Sequence, residues 1–351
     1  MPSQTSHNAA RRPRLSEWTT LGVGGPADAF VEVSDLASLA DALAGAEASG
    51  RPVLVLGGGS NVVVADEGFP GTVARIGIKG LRFENADGGV VARVAAGEDW
   101  CDFVEHCVAE GLSGTECLSG IPGLVGATPV QNVGAYGQEV SDTVTAVSVW
   151  DRRSASASVM MPAQCRFGYR DSVFRGGSRY VVTEVCFRLE RSNWSQPLRY
   201  TELAACLGAE VGQRAPLEET ARAVIGLRKK KGMVLDPGDP DSRSVGSFFT
   251  NPVLDEVQVN ELLKVAPHAP TYPAAGGTKV AAAWLVERAG FARGYRRGGA
   301  AISSKHALAL TVCEGGSAAD VLALAREIRD RVRDRLGVSL QPEPVLVGTH
   351  L

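Results

Sequence analysis

Segments of helical and of strand periodicity follow one another through the first part of the chain. Apolar residues recur at helical spacing after Ser34, and Gly50 stands where such a helix would end. These apolar residues are Leu36, Leu39, Ala40 and Leu43. Two short β-branched runs follow at 53–56 and 62–64, separated by glycines, and both are typical of strands. A helix combined with two strands predicts an α/β unit.

The middle of the chain contains further strands and helices around one irregular stretch. A helix near Asp99–Glu110 places four apolar residues on one side and has Gly111 as a C-terminal cap. The four residues are Trp100, Phe103, Val104 and Cys107. The Gly/Pro-rich stretch 111–138 is too apolar for a solvated linker and too often interrupted for regular structure. Other elements are expected as strands within 72–98 and near 144–150 and 180–188, and as a helix near 216–228.

The last part of the chain predicts a second α/β unit. Segment 232–246 has the density of Pro, Gly and Asp that is typical of a domain boundary or a mobile loop. A helix is expected near Lys279–Ala289, a strand near Ala307–Val312, and a long helix near Ala318–Leu336 that Gly337 ends. The apolar stripe of the long helix is Val321, Leu324, Ile328 and Val332, and the tail after it returns to strand character. We therefore predict a mixed α+β and α/β protein.

Composition narrows the class of protein. A chain of 351 residues is expected to form two or three domains, and 44% hydrophobic with 21% charged residues is ordinary for a globular protein. The net charge of −3 gives no general attraction to nucleic acid or to an anionic membrane. We find no apolar run long enough to span a bilayer and no apolar stretch of a secretory signal near the N-terminus. Residues 1–15 are predicted to be a disordered lead-in.

Cysteine usage points to a reducing compartment. The seven cysteines are scattered and no C-x-x-C motif occurs, so neither a zinc site nor a disulfide framework is predicted. Most of them lie in apolar contexts. We expect reduced, mostly buried thiols in a cytoplasmic protein that holds no metal.

Glycine is abundant and concentrated in loops, which favours a protein that holds an extended cofactor. The chain has 41 glycines, and glycine lets the backbone approach a ligand closely. The stretch "VLVLGGGSNVVVAD" lacks the helix that follows a Rossmann glycine motif. It is compatible with a strand–loop–strand whose amides bind phosphate, helped by Ser60 and Asn61, and equally with a tight hairpin that binds nothing.

The stretch 111–140 is the richest in candidate binding groups. Glycines alternate there with small or apolar residues and with the polar Ser119, Gln131 and Asn132. A buried loop must satisfy its backbone groups internally or offer them to a ligand. A flat flavin with polar edges suits such a wall, and an irregular packed loop is the structural alternative.

Two further motifs contain candidate anion-binding residues. In "CRFGYRDSVFR" the guanidinium of Arg170 stands beside Tyr169 and can bind a carboxylate through two hydrogen bonds, or it can simply pair with Asp171 at the surface. The basic run "LRKKKG" at 227–232 is either a solvated face or an anion site for a substrate diphosphate.

Three single residues are candidates for proton chemistry. Ser247 stands between Gly246 and two phenylalanines in "GSFF", where a buried hydroxyl needs a partner. His306 begins a predicted strand, and a lone histidine in such a place is commonly structural. Glu343 lies between two prolines that fix the chain, so it is either a held carboxylate for acid–base work or a surface turn residue.

Taken together, these motifs resemble the UDP-N-acetylenolpyruvoylglucosamine reductase family over nearly the whole chain from about residue 16. The matching stretches are "TTLGVGGPA", "VLGGGSNVVVAD", "GLSGTECLSGIPGLVGATPVQNVGAYGQE", "CRFGYRDSVFR", "GSFFTNP", "YPAAGGTKVAAAWLVERAGF", "GGAAISSKHAL" and "PEPVLVG". The resemblance implies a PCMH-like FAD-binding module in two parts plus a third α/β substrate-binding domain. It places the first part at 16–80, the second at 81–231 and the substrate domain at 232–337, with the tail 338–351 packing back on the first part.

The resemblance also implies roles for individual residues. FAD is expected to contact two loops, at Leu56, Gly57, Gly58, Gly59, Ser60, Asn61, Ser119, Gly120, Ile121, Pro122, Gly123, Gly126, Ala127, Gln131, Asn132, Gly134, Ala135 and Tyr136. Catalysis is expected to rely on Ser247, Arg170 and Glu343. The substrate is expected to contact Tyr169, Tyr200, Lys231 (or its neighbour Lys230), Asn251, Lys279 and His306. Tyr200 marks the subclass with an extra lid loop over the nucleotide.

The implied reaction is reduction of UDP-N-acetylglucosamine enolpyruvate to UDP-N-acetylmuramate for peptidoglycan, and so for cell shape and division. NADPH is expected to supply the hydride through FAD, after which negative charge develops next to the substrate carboxylate. We expect Arg170 and Glu343 to stabilise that charge and Ser247 to donate the proton that completes the reduction. The expected partners are the two substrates, without nucleic acid or membrane, and a monomer is one expectation.

Two alternatives remain open from the sequence. One is another oxidoreductase or oxidase with the same FAD-binding fold, against which the three motifs GSFF, GYRDS and PEP argue together. The other is a non-catalytic nucleotide-sugar binding protein, which would have no need of Ser247 and Glu343.

Overall fold

The computed structural model describes residues 12–351. Most of the predicted lead-in 1–15 therefore lies outside the described residues. Its last part contradicts the prediction of disorder, because Arg14 forms a β-bridge with Pro26 and Leu15 is completely buried. Leu15 packs in a small apolar cluster with Ala27 and Leu56. The ordered chain thus begins earlier than the sequence predicted, because an apolar side chain anchors it.

Eight α-helices and twenty strands make up the regular structure of the described residues. The helices are α1 Leu36–Ala48, α2 Trp100–Ala109, α3 Pro162–Cys165, α4 Thr201–Cys206, α5 Leu217–Lys230, α6 Glu256–Val265, α7 Ala282–Arg288 and α8 Ala318–Leu336. The first ten strands are β1 Ala27–Val33, β2 Val53–Leu56, β3 Val62–Val64, β4 Phe69–Ile76, β5 Leu81–Ala86, β6 Gly89–Ala95, β7 Leu112–Ser113, β8 Gly134–Ala135, β9 Gln138–Glu139 and β10 Val144–Asp151. The others are β11 Ser156–Met160, β12 Tyr180–Arg191, β13 Ser244–Ser247, β14 Val253–Leu254, β15 Thr271–Ala274, β16 Gly277–Val280, β17 Arg296–Arg297, β18 Ala300–Ile302, β19 Ala309–Val312 and β20 Val345–Val347.

The first sheet is parallel and has the strand order β1-β4-β2. Helix α1 packs against β1 and β4, and the side chain of Asp35 caps its first turn by accepting from the amide of Ser38. Leu39 and Leu43 of α1 are buried as predicted, whereas Leu36 is exposed. Leu36 is the first residue of the helix, so the apolar face is buried from its second turn onward.

The middle sheet is antiparallel and has the order β11-β10-β12-β6-β5, with β7 also paired to β12. Helix α2 buries the four apolar residues that its periodicity predicted: Trp100, Phe103, Val104 and Cys107. They belong to one core that also contains Val33 and Leu39 of the first unit. The parallel sheet and the middle sheet are therefore held together by a shared apolar core.

The C-terminal unit is built on the sheet β13-β19-β18-β17, with a smaller sheet β14-β16-β15 beside it. Helix α8 packs on β17, β18 and β19 and buries its predicted stripe of Val321, Leu324, Ile328 and Val332. Gly337 ends the helix with φ of 69°, a left-handed conformation that favours glycine. The predicted helix boundaries of α8 are confirmed.

The end of the chain returns to its beginning. β20 pairs in parallel with β3, the strand that follows the glycine loop. The carboxylate of Asp66, just after β3, accepts hydrogen bonds from the amides of Ala318 and Ala319 at the start of α8. Because β2 pairs with β4 while β3 pairs with β20, the glycine stretch between them is not a hairpin, which excludes that alternative.

Two further predictions concern the whole chain. No helix within residues 12–351 is long and apolar enough to cross a membrane. All seven cysteines are free, and Cys107, Cys117, Cys165 and Cys186 are buried. Cys206 is exposed. Because four of the seven thiols are buried, the expectation of mostly buried thiols is confirmed.

Candidate active site

One cavity is lined by residues from all three units of the fold. Its volume is about 540 Å³, and it extends from the glycine loop after β2 to the strand β13 of the C-terminal unit. The segment 121–134 and strand β12 form other parts of its wall. A pocket of this extent at a junction of domains is the usual place for a cofactor and its substrate.

Glycines allow the two predicted cofactor loops to approach each other. A Cβ atom on Gly58 would stand 2.9 Å from the Cα of Gly123, closer than such atoms come in real structures. A Cβ on Gly59 would stand 1.9 Å from the carbonyl oxygen of Trp18. Side chains at these positions would therefore force the loops apart and change the shape of the cavity.

Two buried polar groups in the cavity wall lack a protein partner that would satisfy them. The side-chain oxygen of Asn61 is buried and accepts no hydrogen bond within residues 12–351. Arg228 is buried, its guanidinium donates only to the carbonyls of Gly120 and Met233, and no carboxylate of the described residues pairs with it. An orphaned acceptor and an unpaired buried cation are the groups that an anionic dinucleotide would satisfy. The residues present therefore fit the predicted FAD.

Most of the residues predicted to contact FAD line this cavity. They are Leu56, Gly57, Gly58, Gly59, Ser60, Asn61, Ile121, Pro122, Gly123, Gly126, Ala127, Gln131 and Gly134. The structure thus brings together both loops that were singled out from the sequence, and an irregular packed loop without a ligand site does not describe segment 111–140.

Five predicted positions do not line the cavity: Ser119, Gly120, Asn132, Ala135 and Tyr136. Asn132 is buried, and its amide donates to Glu139 and to the carbonyl of Gly168. The hydroxyl of Ser119 donates to the carbonyl of Glu116. These two side chains serve the loop itself, because a loop without regular structure must satisfy its backbone by side-chain bonds. Contact of these two residues with the cofactor therefore stays a prediction.

Sequence reasoning also missed several polar residues of the cavity wall. They are Arg152, Arg175, Ser178, Tyr180 and Arg228, and the apolar Met233 lines the wall with them. Arg228 was treated only as part of a basic run, although it lies four residues after the buried Val224 of α5. Helical spacing therefore placed it on the apolar face, and that signal could have identified it. Lys229 and Lys230 are exposed to solvent, as expected if this part of the basic run is a solvated face.

The predicted catalytic residues Arg170 and Glu343 are neighbours in the cavity. The Nε atom of Arg170 lies 3.3 Å from a carboxylate oxygen of Glu343, and its Nη2 donates to the carbonyl of Gly134 at 2.5 Å. Arg170 has a left-handed backbone with φ of 54°, which is uncommon for a residue with a side chain. Arg175 stabilises the arrangement, because its guanidinium donates to the carbonyls of both Arg170 and Pro342. The segment that carries Arg170 and the segment that carries Glu343 are therefore held to each other.

Burial dominates the electrostatics of Glu343. Loss of water raises the pKa of the Glu343 carboxyl above its ordinary value, and Arg170 and Arg175 oppose that shift without reversing it. The same cause raises the pKa of the nearby Glu139, whose carboxylate lies 3.9 Å from Arg170. Glu343 can accordingly carry a proton more readily than a surface glutamate.

Ser247 lies at the end of β13 and also faces the cavity. Phe248 and Phe249 after it are buried in the core of the C-terminal unit, which anchors the turn. Gly246 has φ of 72° and so turns the chain in a way that favours glycine. The hydroxyl of Ser247 has a protein partner, the Nε2 atom of His306 at 3.3 Å.

His306 is held as a neutral imidazole. Burial, followed by the charges of Lys231, Arg293 and Arg228, lowers its pKa to about 4. The histidine is not among the residues that line the cavity, but it lies beside Ser247, which does line it. Among the described residues no cluster of three or more His, Cys, Asp or Glu side chains could hold a metal ion.

The other predicted substrate residues lie outside the lining of the cavity and form small cation–aromatic clusters. The ammonium of Lys279 stands 5.1 Å from the ring centre of Tyr169. Lys231 pairs with Glu202 at 2.6 Å and stands over the ring of Tyr136.

The remaining two candidates differ in how far their side chains are already used. Tyr200 is exposed and packs edge-to-face against Tyr136. The side-chain oxygen of Asn251 accepts the amide of Ala282 at the start of α7, so it also has a structural use.

The arrangement can bind a flavin dinucleotide along the glycine loops and present Ser247, Arg170 and Glu343 at one end of it. It offers a guanidinium, a buried carboxyl and a hydroxyl at one place, which together can stabilise a developing negative charge and deliver a proton.

Comparison with known proteins agrees with this reading of the site. Residues 27–155 match a family model described as "FAD binding domain", and residues 239–347 match "UDP-N-acetylenolpyruvoylglucosamine reductase, C-terminal domain". The chain is 52% identical to the UDP-N-acetylenolpyruvoylglucosamine reductase of Thermobifida fusca, covering 97% of this chain and 99% of the relative. It is 51% identical to that of Saccharopolyspora erythraea, covering 96% and 95%.

A solved structure supports the same relationship. The crystal structure of UDP-N-acetylenolpyruvylglucosamine reductase from Thermus caldophilus is similar with a TM-score of 0.65 at 29% sequence identity. The match covers 96% of this chain and 98% of that chain.

Proposed function

Since the chain belongs to the UDP-N-acetylenolpyruvoylglucosamine reductase family, it is a flavin-dependent reductase of that nucleotide sugar, and we propose that Ser247, Arg170 and Glu343 carry the chemistry. The product belongs to peptidoglycan precursor synthesis. NADPH is the proposed reductant and the cytoplasm the proposed compartment. The observation that supports this most directly is the single cavity that joins the glycine loops to all three residues.

FAD, when bound, supplies hydride transfer from the nicotinamide to the vinyl carbon of the substrate. Asn61 and the glycine loop would hold its polar edge, and the buried guanidinium of Arg228 would neutralise phosphate charge. Trp100 and Ile121 give the cavity an apolar lining, and exclusion of water by a bound cofactor would strengthen the electrostatic interactions inside it.

Arg170 and Glu343 have the task of stabilising charge next to the substrate carboxylate. Arg170 is fixed by Gly134 on one side and Glu343 on the other, so its planar group is already oriented before substrate arrives. Glu343 has a raised pKa and can donate a hydrogen bond in its protonated form. Preorganised donors of this kind typically contribute about 3 kcal/mol to stabilisation of a transition state.

Ser247 has the task of proton donation. Its Oγ–H bond breaks, the proton moves to the carbon that holds the electron pair after hydride addition, and that pair forms the new C–H bond. A serine hydroxyl is a weak acid, so it can act only beside a strongly basic carbon in a site without competing water.

Lys231, Lys279, Tyr169 and Tyr200 are proposed to bind the nucleotide diphosphate and its base at the cavity entrance, with Asn251 and His306 nearer the reacting end. The exposed position of Tyr200 supports a lid that packs on the base. We also propose a domain division after residues 80 and 231, which follows the change from one sheet to the next, with segment 338–351 returning to the first part. A monomeric state is proposed as well.

An anaerobic bleach-and-recover experiment tests the function. The purified FAD-bound protein should be yellow, NADPH should bleach it, and UDP-N-acetylglucosamine enolpyruvate should restore the colour in the absence of oxygen. The variant Ser247→Ala should bleach at the normal rate but recover slower by on the order of a hundredfold or more.

Each rival function predicts a different outcome of this experiment. Recovery with oxygen alone would instead identify an oxidase, and a yellow protein that binds the nucleotide sugar but does not regain its colour with it would identify a non-catalytic binding protein. Recovery of Ser247→Ala at the wild-type rate would remove this serine from the mechanism.

A further inference from the structure

Ser247 and His306 form a side-chain pair whose geometry the backbone fixes. Strands β13 and β19 pair with Ser247 opposite Ala309, and the amide of Phe248 donates to the carbonyl of Leu308. His306 lies just before β19, in a turn closed by the hydrogen bond from the amide of Ala309 to its carbonyl. The separation of 3.3 Å between Oγ and Nε2 is therefore not the result of a free rotamer alone.

A second set of contacts holds this turn from outside. The amide and the hydroxyl of Ser304 both donate to the carboxylate of Asp241, and Lys305 pairs with Asp239 at 2.8 Å. The hydroxyl of Ser303 accepts the amides of Lys305 and His306. Segment 232–246, which the sequence marked as a boundary or mobile loop, thus holds the turn that presents His306 through Asp239 and Asp241.

The direction of the hydrogen bond decides where the hydroxyl proton of Ser247 points. A hydroxyl has one proton to donate and can also accept, and a neutral imidazole has one protonated and one unprotonated nitrogen. If Nε2 were unprotonated, it would take the proton of Ser247, and none would be directed at the substrate. If Nε2 carries the proton, it donates to Oγ and leaves the hydroxyl proton free for the cavity.

The surroundings of the ring favour the second arrangement. The charged groups that act on His306 are Lys231, Arg293 and Arg228, all cations. No carboxylate of the described residues forms an ion pair with His306, so a proton on Nδ1 would meet no charged acceptor, whereas a lone pair on Nδ1 is attracted by the cations.

We propose that His306 is a positioning residue for Ser247: its Nε2–H donates to the serine Oγ and so directs the hydroxyl proton toward the substrate carbon. This inference rests on the proposed function. As the Oγ–H bond breaks, its electron pair stays on Oγ, where the Nε2–H bond stabilises it. Oγ regains a proton from water after the product leaves, so His306 itself ends unchanged.

Anaerobic stopped-flow kinetics of the FAD-bound protein separate this role from a structural one. The variant His306→Leu cannot donate and should be bleached by NADPH at the wild-type rate but recover with substrate slower by on the order of tenfold to a hundredfold. His306→Gln, whose amide nitrogen can donate to Oγ, should recover much of the lost rate. The exposed His268 of the same unit supplies the matched control, and His268→Leu should change neither half-reaction.

A spectroscopic readout tests the tautomer directly. The chain has five histidines, so ¹⁵N spectra of histidine-labelled, FAD-bound protein can be assigned by comparison with His306→Gln. At neutral pH the His306 signals should show a protonated Nε2 and an unprotonated Nδ1. This measurement does not depend on turnover and remains decisive if His306→Leu folds poorly.

Several outcomes would overturn the inference. A protonated Nδ1 would do so, as would recovery of His306→Leu at the wild-type rate, or equal slowing of the Gln and Leu variants. If instead the wild-type protein itself fails to regain its colour with the enolpyruvyl substrate, the proposed function fails, which distinguishes the two.

Discussion

Replacing His306 by glutamine should make the protein more resistant to acid. The folded state holds the pKa of His306 at about 4, well below the ordinary histidine value of 6.5, because of burial and neighbouring cations. As pH falls below 6.5 the unfolded chain takes up a proton at this residue, and the folded chain does not until the pH approaches 4. The folded state of the wild type therefore loses stability between these two pH values, and a glutamine at the same place titrates in neither state.

The magnitude follows from the size of the shift. A difference of about 2.5 pKa units corresponds to about 3 kcal/mol of unfolding free energy at and below pH 4, and to about 2 kcal/mol at pH 5. No loss from this residue is expected at pH 8, where the histidine is neutral in both states. The effect is thus a slope with pH and not a constant offset, which distinguishes it from a change in packing.

Urea unfolding of the two FAD-saturated proteins at several pH values measures the effect. The quantity of interest is the difference in unfolding free energy between wild type and His306→Gln, because titration of the other groups cancels in that difference. A protein of several units need not unfold in one step. Coincident transitions by circular dichroism and fluorescence are therefore required before an unfolding free energy is assigned. A difference that stays flat from pH 8 to pH 4.5 would refute the reasoning and show that His306 is not buried as a neutral ring.

Two other predictions concern the cofactor loops and the charged pair. Arg170→Lys should retain FAD, but the rate at which substrate restores the flavin colour should fall by on the order of a hundredfold. A single ammonium cannot bind both the Gly134 carbonyl and Glu343 as the planar guanidinium does. A normal rate of recovery would count against a role for the planar guanidinium. Gly58→Ala should weaken FAD binding by roughly tenfold or more, measured by titration of the apoprotein, because the new Cβ meets Gly123; Gly45→Ala in α1, where a Cβ meets nothing within 4 Å, is the matched control and should bind FAD normally.

The parts of the fold that local periodicity controls could be predicted from the sequence. Helices α2 and α8 have strong apolar stripes ended by glycines, and both were located almost to the residue. The position of α7 was less well predicted, because its cap is the side chain of Asn251, thirty-one residues earlier in the chain. A cap supplied from a distant segment leaves no mark in the local pattern.

The residues of the candidate site also fall into those that the sequence could predict and those that it could not. The glycine loops were found because glycine itself is the signal, since only it allows the approach of Gly58 to Gly123. The functions of Asn132 and Arg228 were not found, because each depends on which long-range neighbour the side chain meets. Composition alone therefore does not determine which polar residues of a motif line the cavity and which stabilise the loop itself.

Main-chain hydrogen bonds of the C-terminal segment set the spacing between the glycine loop and Ser247, the proposed proton donor. The amide of Val345 donates to the carbonyl of Asn61 in the glycine loop, and the amide of Glu343 donates to the carbonyl of Phe248, next to Ser247. The prolines on either side of Glu343 have no amide proton, so the two remaining donors of this stretch are both used. The carboxylate of Glu343 is consequently carried by a backbone that is bonded to both halves of the site. These two main-chain bonds hold Glu343 close to Ser247 although the two residues are far apart in sequence, as their proposed action on one substrate carbon requires.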